Sequence, residues 1–293
     1  MGDDLIPDMN SSGKTDSLRL ITYQAPSIPV EFYTLLGQYL ESKLKCHVYM
    51  MVESRSEGPL TDRPDPFTQN EADIGILSSS SLKDTLEKAK GHAVLLPVAP
   101  VYAHHGSNGR PVYFSDVIIH KDNREKYKEF RLLHGAKWAF SSVSSVSSYL
   151  RPLFELKRMG QNANFFTKVV ESGSHNNSIS MILNKTVDGA AVDSVALSMQ
   201  KTMRADVKDN IFVLTSWGPI AVHPIVVNTR LPKDFREKLS QCLLDIQRDN
   251  EWNSRFHKFS LIKFVPVSET DYLEDEQMIK KISGMRLEGA VYY

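Results

Sequence analysis

The sequence predicts an α/β fold built as two lobes. Short β-like runs alternate with one-sided helical stripes, several runs end in serines that open the next helix, and the pattern restarts after Lys121. In such sheets ligands bind beyond the carboxyl ends of the strands.

Residues 1–17 are polar and acidic and read as a flexible tail, and residues 18–23 (LRLITY) read as the first strand. The turn APSIP leads into a helix over residues 30–44, where Phe32, Leu35, Leu36, Tyr39 and Leu40 form one apolar stripe. Residues 47–52 return as a strand and complete a βαβ unit. Residues 53–70, rich in proline and charge, read as a surface connection. Residues 73–77 (DIGIL) are a buried strand running into four serines, Ser78 first, and an amphipathic helix. After the apolar run 93–101, residues 103–109 have the composition of a hairpin loop, and residues 112–120 (VYFSDVIIH) of an extended strand.

The second region repeats the plan. Residues 136–140 form a strand that enters WAFSSVSSVSSY, and Pro152 holds the following helix to a start near Ser147 or Ser148, with Gly160 ending it. Residues 167–171 are a short strand, and Ser174 is the N-cap of a helix that buries Ile179, Ile182 and Leu183. GAAVD is a strand closing on Asp193, with Ser194 opening the next helix. Residues 211–215 run into the loop SWGPI. A parallel sheet is expected, with four loops meeting at one edge. Residues 221–228 lead away from that edge, Pro232 starts a helix through Leu244, and residues 262–267 precede an acidic helical tail. One lobe would comprise residues 18–115 and 222–293, the other 116–221, joined by two hinge strands.

Composition excludes several functions. The chain balances 35 basic against 35 acidic side chains, which disfavours nucleic acid or an anionic membrane as a partner. No apolar run nears the roughly 20 residues of a membrane span. Cys46 and Cys242 have no metal spacing and fit reduced thiols. The acidic N-terminus has no signal-peptide pattern, so a cytoplasmic location is expected, or a periplasmic or secreted one if a native leader has been removed. A monomer is expected. The motifs of P-loops, nucleophile elbows and zinc hydrolases are missing, and Ser147, His175 and Asp193 sit on separate loops, so no catalysis is expected. His104-His105 reads as a polar loop tip, and neither metal nor cofactor is expected.

The segments ADIGILSSSSL, PVYFSDVIIHKD, WAFSSVSSVSSYLRP, FFTKVVESGSHNNSISMIL, DGAAVDSVAL and SWGPIAVHPIVV together resemble the phosphate/phosphite/phosphonate-binding proteins of ABC importers, within the type II periplasmic-binding-protein fold. The match runs in order from Leu18 to Tyr272. It implies a bilobal trap in which Ser144, Ser145, Ser147 and Ser148 donate to an oxyanion. His175 and Asn176 become side-chain partners, Asp193 accepts from an amino-bearing ligand, and Tyr23 and Tyr102 close from the first lobe. Ser78, at the analogous junction of the first lobe, and Trp217 complete the candidate set. Ser148 stands where the family pattern S-x-S-G has glycine, which narrows backbone approach. The expected function is non-catalytic binding of a small anionic or zwitterionic ligand, phosphonate- or phosphate-like or amine-bearing, with hinge closure. Two alternatives are an enzyme on the same fold, similar to pyrimidine-precursor synthases, and a ligand-gated sensory or scaffold module. No importer partner is implied without a leader.

Overall fold

The computed structural model describes residues 16–161 and 163–287, so the expected tail lies outside the described residues up to position 15. β1 (Ser17–Thr22) opens the first lobe one residue earlier than its apolar pattern. α1 (Val30–Leu44) buries the predicted stripe and ends at Lys45, whose left-handed backbone (φ 59°) turns the chain into β2 (His47–Val52). β3 (Ile74–Ile76) leads to α2 (Ser79–Lys88). The run 93–101 divides at Pro97, which has no N–H to give a ladder, into β4 (Ala93–Leu95) and β5 (Val98–Tyr102).

The second lobe holds β6 (Val112–His120), β7 (Lys137–Phe140), α3 (Arg151–Arg158), β8 (Lys168–Glu171), α4 (His175–Leu183), β9 (Gly189–Asp193), α5 (Ser194–Met203), α6 (Ala205–Asn210) and β10 (Ile211–Ala221). The chain then returns through β11 (Ile225–Asn228), α7 (Lys233–Leu244), α8 (Asn250–His257), β12 (Leu261–Pro266) and α9 (Leu273–Lys281). Gly160 follows α3 with φ 68°, as its reading as a helix stop requires.

Two five-stranded sheets result, in the orders β2-β1-β3-β11-β4 and β10-β6-β9-β7-β8. Trp138, fully buried in β7, stacks on Phe166 at 4.5 Å in the second core. Three sequence expectations are corrected here. Residues 103–109 form no hairpin, because β5 pairs with β12 while β6 pairs with β10 and β9 in the other sheet. The second sheet is mixed, since β6 runs antiparallel to both β9 and β10. Residues 216–220 are no loop but part of β10, paired along β6 with its register broken between Trp217 and Ile220.

α9 reaches across the molecule. It packs on α2 and β10 and also on α3, and beyond it Leu287 joins the core around Trp138, its N–H donating to Tyr149 Oη at 3.1 Å. Cys46 and Cys242 are free, and burial pushes both thiols up to about 11.

Candidate functional site: an inter-lobe cavity

Four strands, two from each sheet, deliver their carboxyl ends to one cavity of about 320 Å³. Residues 23–27 follow β1 and residues 54–57 follow β2. Ser141 and Ser142 follow β7, while Glu171, Gly173, Ser174 and His175 carry β8 into α4. A volume near the lower end of ligand pockets fits a small solute.

The serine turn owes its shape to its own hydroxyls. Ser145 Oγ accepts from Ser148 N–H at 3.3 Å, and Leu150 N–H bonds back to the Ser145 carbonyl at 3.0 Å, which makes a wide helical turn over Val146–Leu150 ahead of α3. Ser148 is fully buried; its Oγ accepts from Ser141 N–H at 3.0 Å and lies 2.6 Å from Ser141 Oγ. Its hydroxyl therefore closes the turn instead of facing the cavity. Ser147 is buried beneath, its carbonyl accepting from Ser115 Oγ at 2.6 Å. Ser144 is exposed at the rim, where its carbonyl accepts from Ser80 Oγ of the first lobe at 3.3 Å. The wall itself is made by Ser141 and Ser142.

On this wall sits a carboxylate, Glu57, that no pattern in the sequence singles out. Ser142 Oγ donates to Glu57 Oε1 at 3.1 Å, and the hydroxyls of Ser78 and Ser145 stand close enough to favour the charged form of the carboxylate. Burial raises the Glu57 pKa above the usual carboxylate range, more than these hydroxyls lower it.

α4 begins where expected. Ser174 Oγ accepts from Asn177 N–H at 3.1 Å, so Ser174→Ala should cost about 1 kcal/mol in urea unfolding; a loss of only a few tenths would show the cap to be idle. His175 N–H donates to Ser27 Oγ at 3.1 Å, and Asn176 Nδ2 to the Pro26 carbonyl at 2.6 Å, which ties the lobes together. Burial pushes the His175 imidazole down to about 4, and its Nδ1 accepts from Asp193 N–H at 3.4 Å. The ring is therefore neutral at physiological pH, with its proton on Nε2.

Asp193 lies behind the wall. Its Oδ1 accepts from Val195 N–H at 2.6 Å and Ala196 N–H at 3.2 Å, capping α5, and its Oδ2 lies 3.1 Å from His223 Nε2. Burial alone would raise its pKa, but the hydrogen bond and charge of His223 outweigh that and hold it low. Tyr23 lines the cavity, whereas Tyr102 is buried in β5 against Phe32 at 6.1 Å. Trp217 packs edge-on to Phe130 at 4.6 Å in the second core, away from the cavity lining. The structure thus brings Tyr23 and His175 to the cavity wall, with Ser78 and Ser145 reaching Glu57 there. The missed contributors, residues 24–27 and 54–57, stand at the carboxyl ends of parallel strands, and that rule applied to β1 and β2 would have found them. Among the described residues no cluster of three metal-ligating side chains occurs and no helix is long and apolar enough to cross a membrane.

Solved structures share this fold. The chain covers 89% of its length and 85% of the other in superposition on a binding-protein component of an ABC phosphonate transporter from Pseudomonas aeruginosa, with a TM-score of 0.74 and 15% identity. On PhnD1 from Prochlorococcus marinus in complex with methylphosphonate the values are 92%, 99%, 0.72 and 14%. A Xanthomonas citri protein bound to ATP gives a TM-score of 0.61 at 15% identity, over 91% of this chain and 98% of that one. At these identities the likeness is one of fold, a two-lobed α/β architecture of the type II periplasmic-binding-protein kind. No curated protein sequence matches the chain. The sequence model described as "ABC transporter, phosphonate, periplasmic substrate-binding protein" matches residues 19–272, nearly the span over which the motifs carry the resemblance. That description is periplasmic, and the cytoplasmic placement read from the N-terminus finds no support in it. A match over most of the chain, on a fold that gathers strand ends from two lobes around one cavity, means that the chain belongs to the family of periplasmic phosphonate-binding proteins of ABC transporters, whose members bind substrate and do not turn it over.

Proposed function

We propose that this protein captures a small anionic or zwitterionic solute, phosphonate- or phosphate-like or amine-bearing, between its two lobes and closes over it by a hinge motion. The carrying observation is the cavity walled by four strand ends, two from each sheet. β6 and β10, paired side by side where the chain passes between the sheets, are the hinge of this reading. The moving bodies would be residues 18–115 with 222–293, and residues 116–221. Contacts from Ser80 to Ser144, Asn176 to Pro26 and Ser142 to Glu57 cross the seam and support a closed form.

Calorimetry and thermal unfolding against phosphate, phosphonates, sulfonates, amino acids and amine-bearing metabolites test the proposal. A true ligand at about a hundred times its Kd should stabilise the protein by about 2.7 kcal/mol. A panel in which no compound binds would sink the reading.

A further inference from the structure

Glu57 occupies the position where a solute's oxyanion would find its donors. The Ser142 hydroxyl of the second lobe donates to its carboxylate at 3.1 Å, and the hydroxyls of Ser78 from the first lobe and Ser145 from the second stand beside it. An arriving phosphonate would meet those donors already engaged and a like charge beside them. The carboxylate is also fixed in place. Ser78 N–H donates to the Glu57 carbonyl at 2.9 Å, and a Cβ on the neighbouring Gly58 would stand 2.5 Å from Ser81 Cβ, so the backbone is pressed onto the start of α2.

The charge of the lining points the same way. It holds two carboxylates, Glu57 and Glu171, against one guanidinium, Arg55. Arg55 is committed to Glu53 through Nη2 at 2.7 Å and Nε at 3.0 Å, and His175 is neutral. A carboxylate has about four acceptor positions, so these hydroxyls leave room for an N–H. An ammonium group supplies that N–H and the missing positive charge. Gln24, on the same wall, has a buried Nε2 with no acceptor among the described residues, a donor suited to the other end of a zwitterion.

Resting on the proposed capture of a solute, we infer that Glu57 stands in for a bound oxyanion, so that the cavity rejects simple phosphonates and takes solutes that bring an ammonium group to this carboxylate. Methylphosphonate and aminomethylphosphonate differ by that one group. Calorimetric titration of both into the full chain, Glu57→Gln and Glu57→Ala, each checked for a cooperative thermal transition, measures the preference. The wild type is expected to bind the amino compound at least about tenfold more tightly, and the ratio should fall to about one in both variants as methylphosphonate gains affinity. Equal affinities in the wild type, or an unchanged ratio in the variants, would overturn the inference and leave solute capture standing. Silence of both compounds on all three proteins also overturns it, and the proposed function falls with it only if the wider panel is silent too.

Discussion

Replacing Asp193 with alanine should lower the unfolding free energy of the solute-free protein by about 2–3 kcal/mol, the cost of leaving a buried polar group without its hydrogen-bond partner. Asp193 and His223 are each less than 5% exposed, so the substitution takes from the buried His223 Nε2 the carboxylate oxygen 3.1 Å away. The same substitution removes the cap of α5, a loss of about 1 kcal/mol in its own right; one carboxylate serves both roles, so the two costs overlap. Asp193→Asn keeps an acceptor for Val195 and Ala196 N–H while discarding the charge, and should lose less than the alanine variant. Urea unfolding with an unchanged m-value is the measurement. A loss under about 1 kcal/mol for the alanine variant would show that Asp193 is not a structural anchor. The resemblance assigned this residue to a ligand's amino group, and a large loss without any solute separates the two roles.

Asp193 marks the boundary between what a sequence reveals and what it does not. That it ends a strand and precedes a helix is local, and its capping of α5 follows from short-range chemistry. The partner His223 lies on the connection from β10 to β11, and no local pattern links the two. The same division runs through the fold. The α1 stripe, the Ser174 cap and the Gly160 stop were legible because each depends on neighbours within a few residues. Strand direction was not: β6 alternates equally well against a parallel or an antiparallel neighbour. Gly218-Pro219 reads as a turn, yet β10 is the edge strand of its sheet, where a proline need not donate to a ladder. Trp217, expected on a loop, therefore lies in a strand. Glu57 sits in a charged, proline-rich stretch and looks like any solvated residue until the serines of both lobes close on it. Candidate serines could be found by composition, but which hydroxyls face the cavity depends on the internal bonds of the turn.

Asp275 should make stability fall as pH rises from about 4 to about 7. It sits on α9, buried, with Oδ2 accepting from Ser79 Oγ at 2.7 Å and from Ala221 N–H at 3.2 Å. One carboxyl thus joins the first turn of α2 to the last residue of β10. Burial pushes its pKa up to about 6, while the bonds from Ser79 and Ala221 and the charge of Arg151 pull the other way. An acid whose folded pKa exceeds its unfolded value favours folding in its protonated form. Its contribution is complete below the unfolded value of about 3.9 and is lost as pH rises through the folded one, a difference of about 3 kcal/mol for a shift of about two units. Asp275→Asn stays neutral throughout and keeps an oxygen for Ser79 and Ala221. Its stability should match the wild type near pH 4 and exceed it by up to about 3 kcal/mol above pH 7. Urea unfolding of the two proteins across this range measures the difference directly, because every other titrating group is common to both. Parallel curves would mean that the carboxyl titrates normally. A converging pair would show that the clasp of α9 on α2 and β10 tightens as this one group takes up its proton.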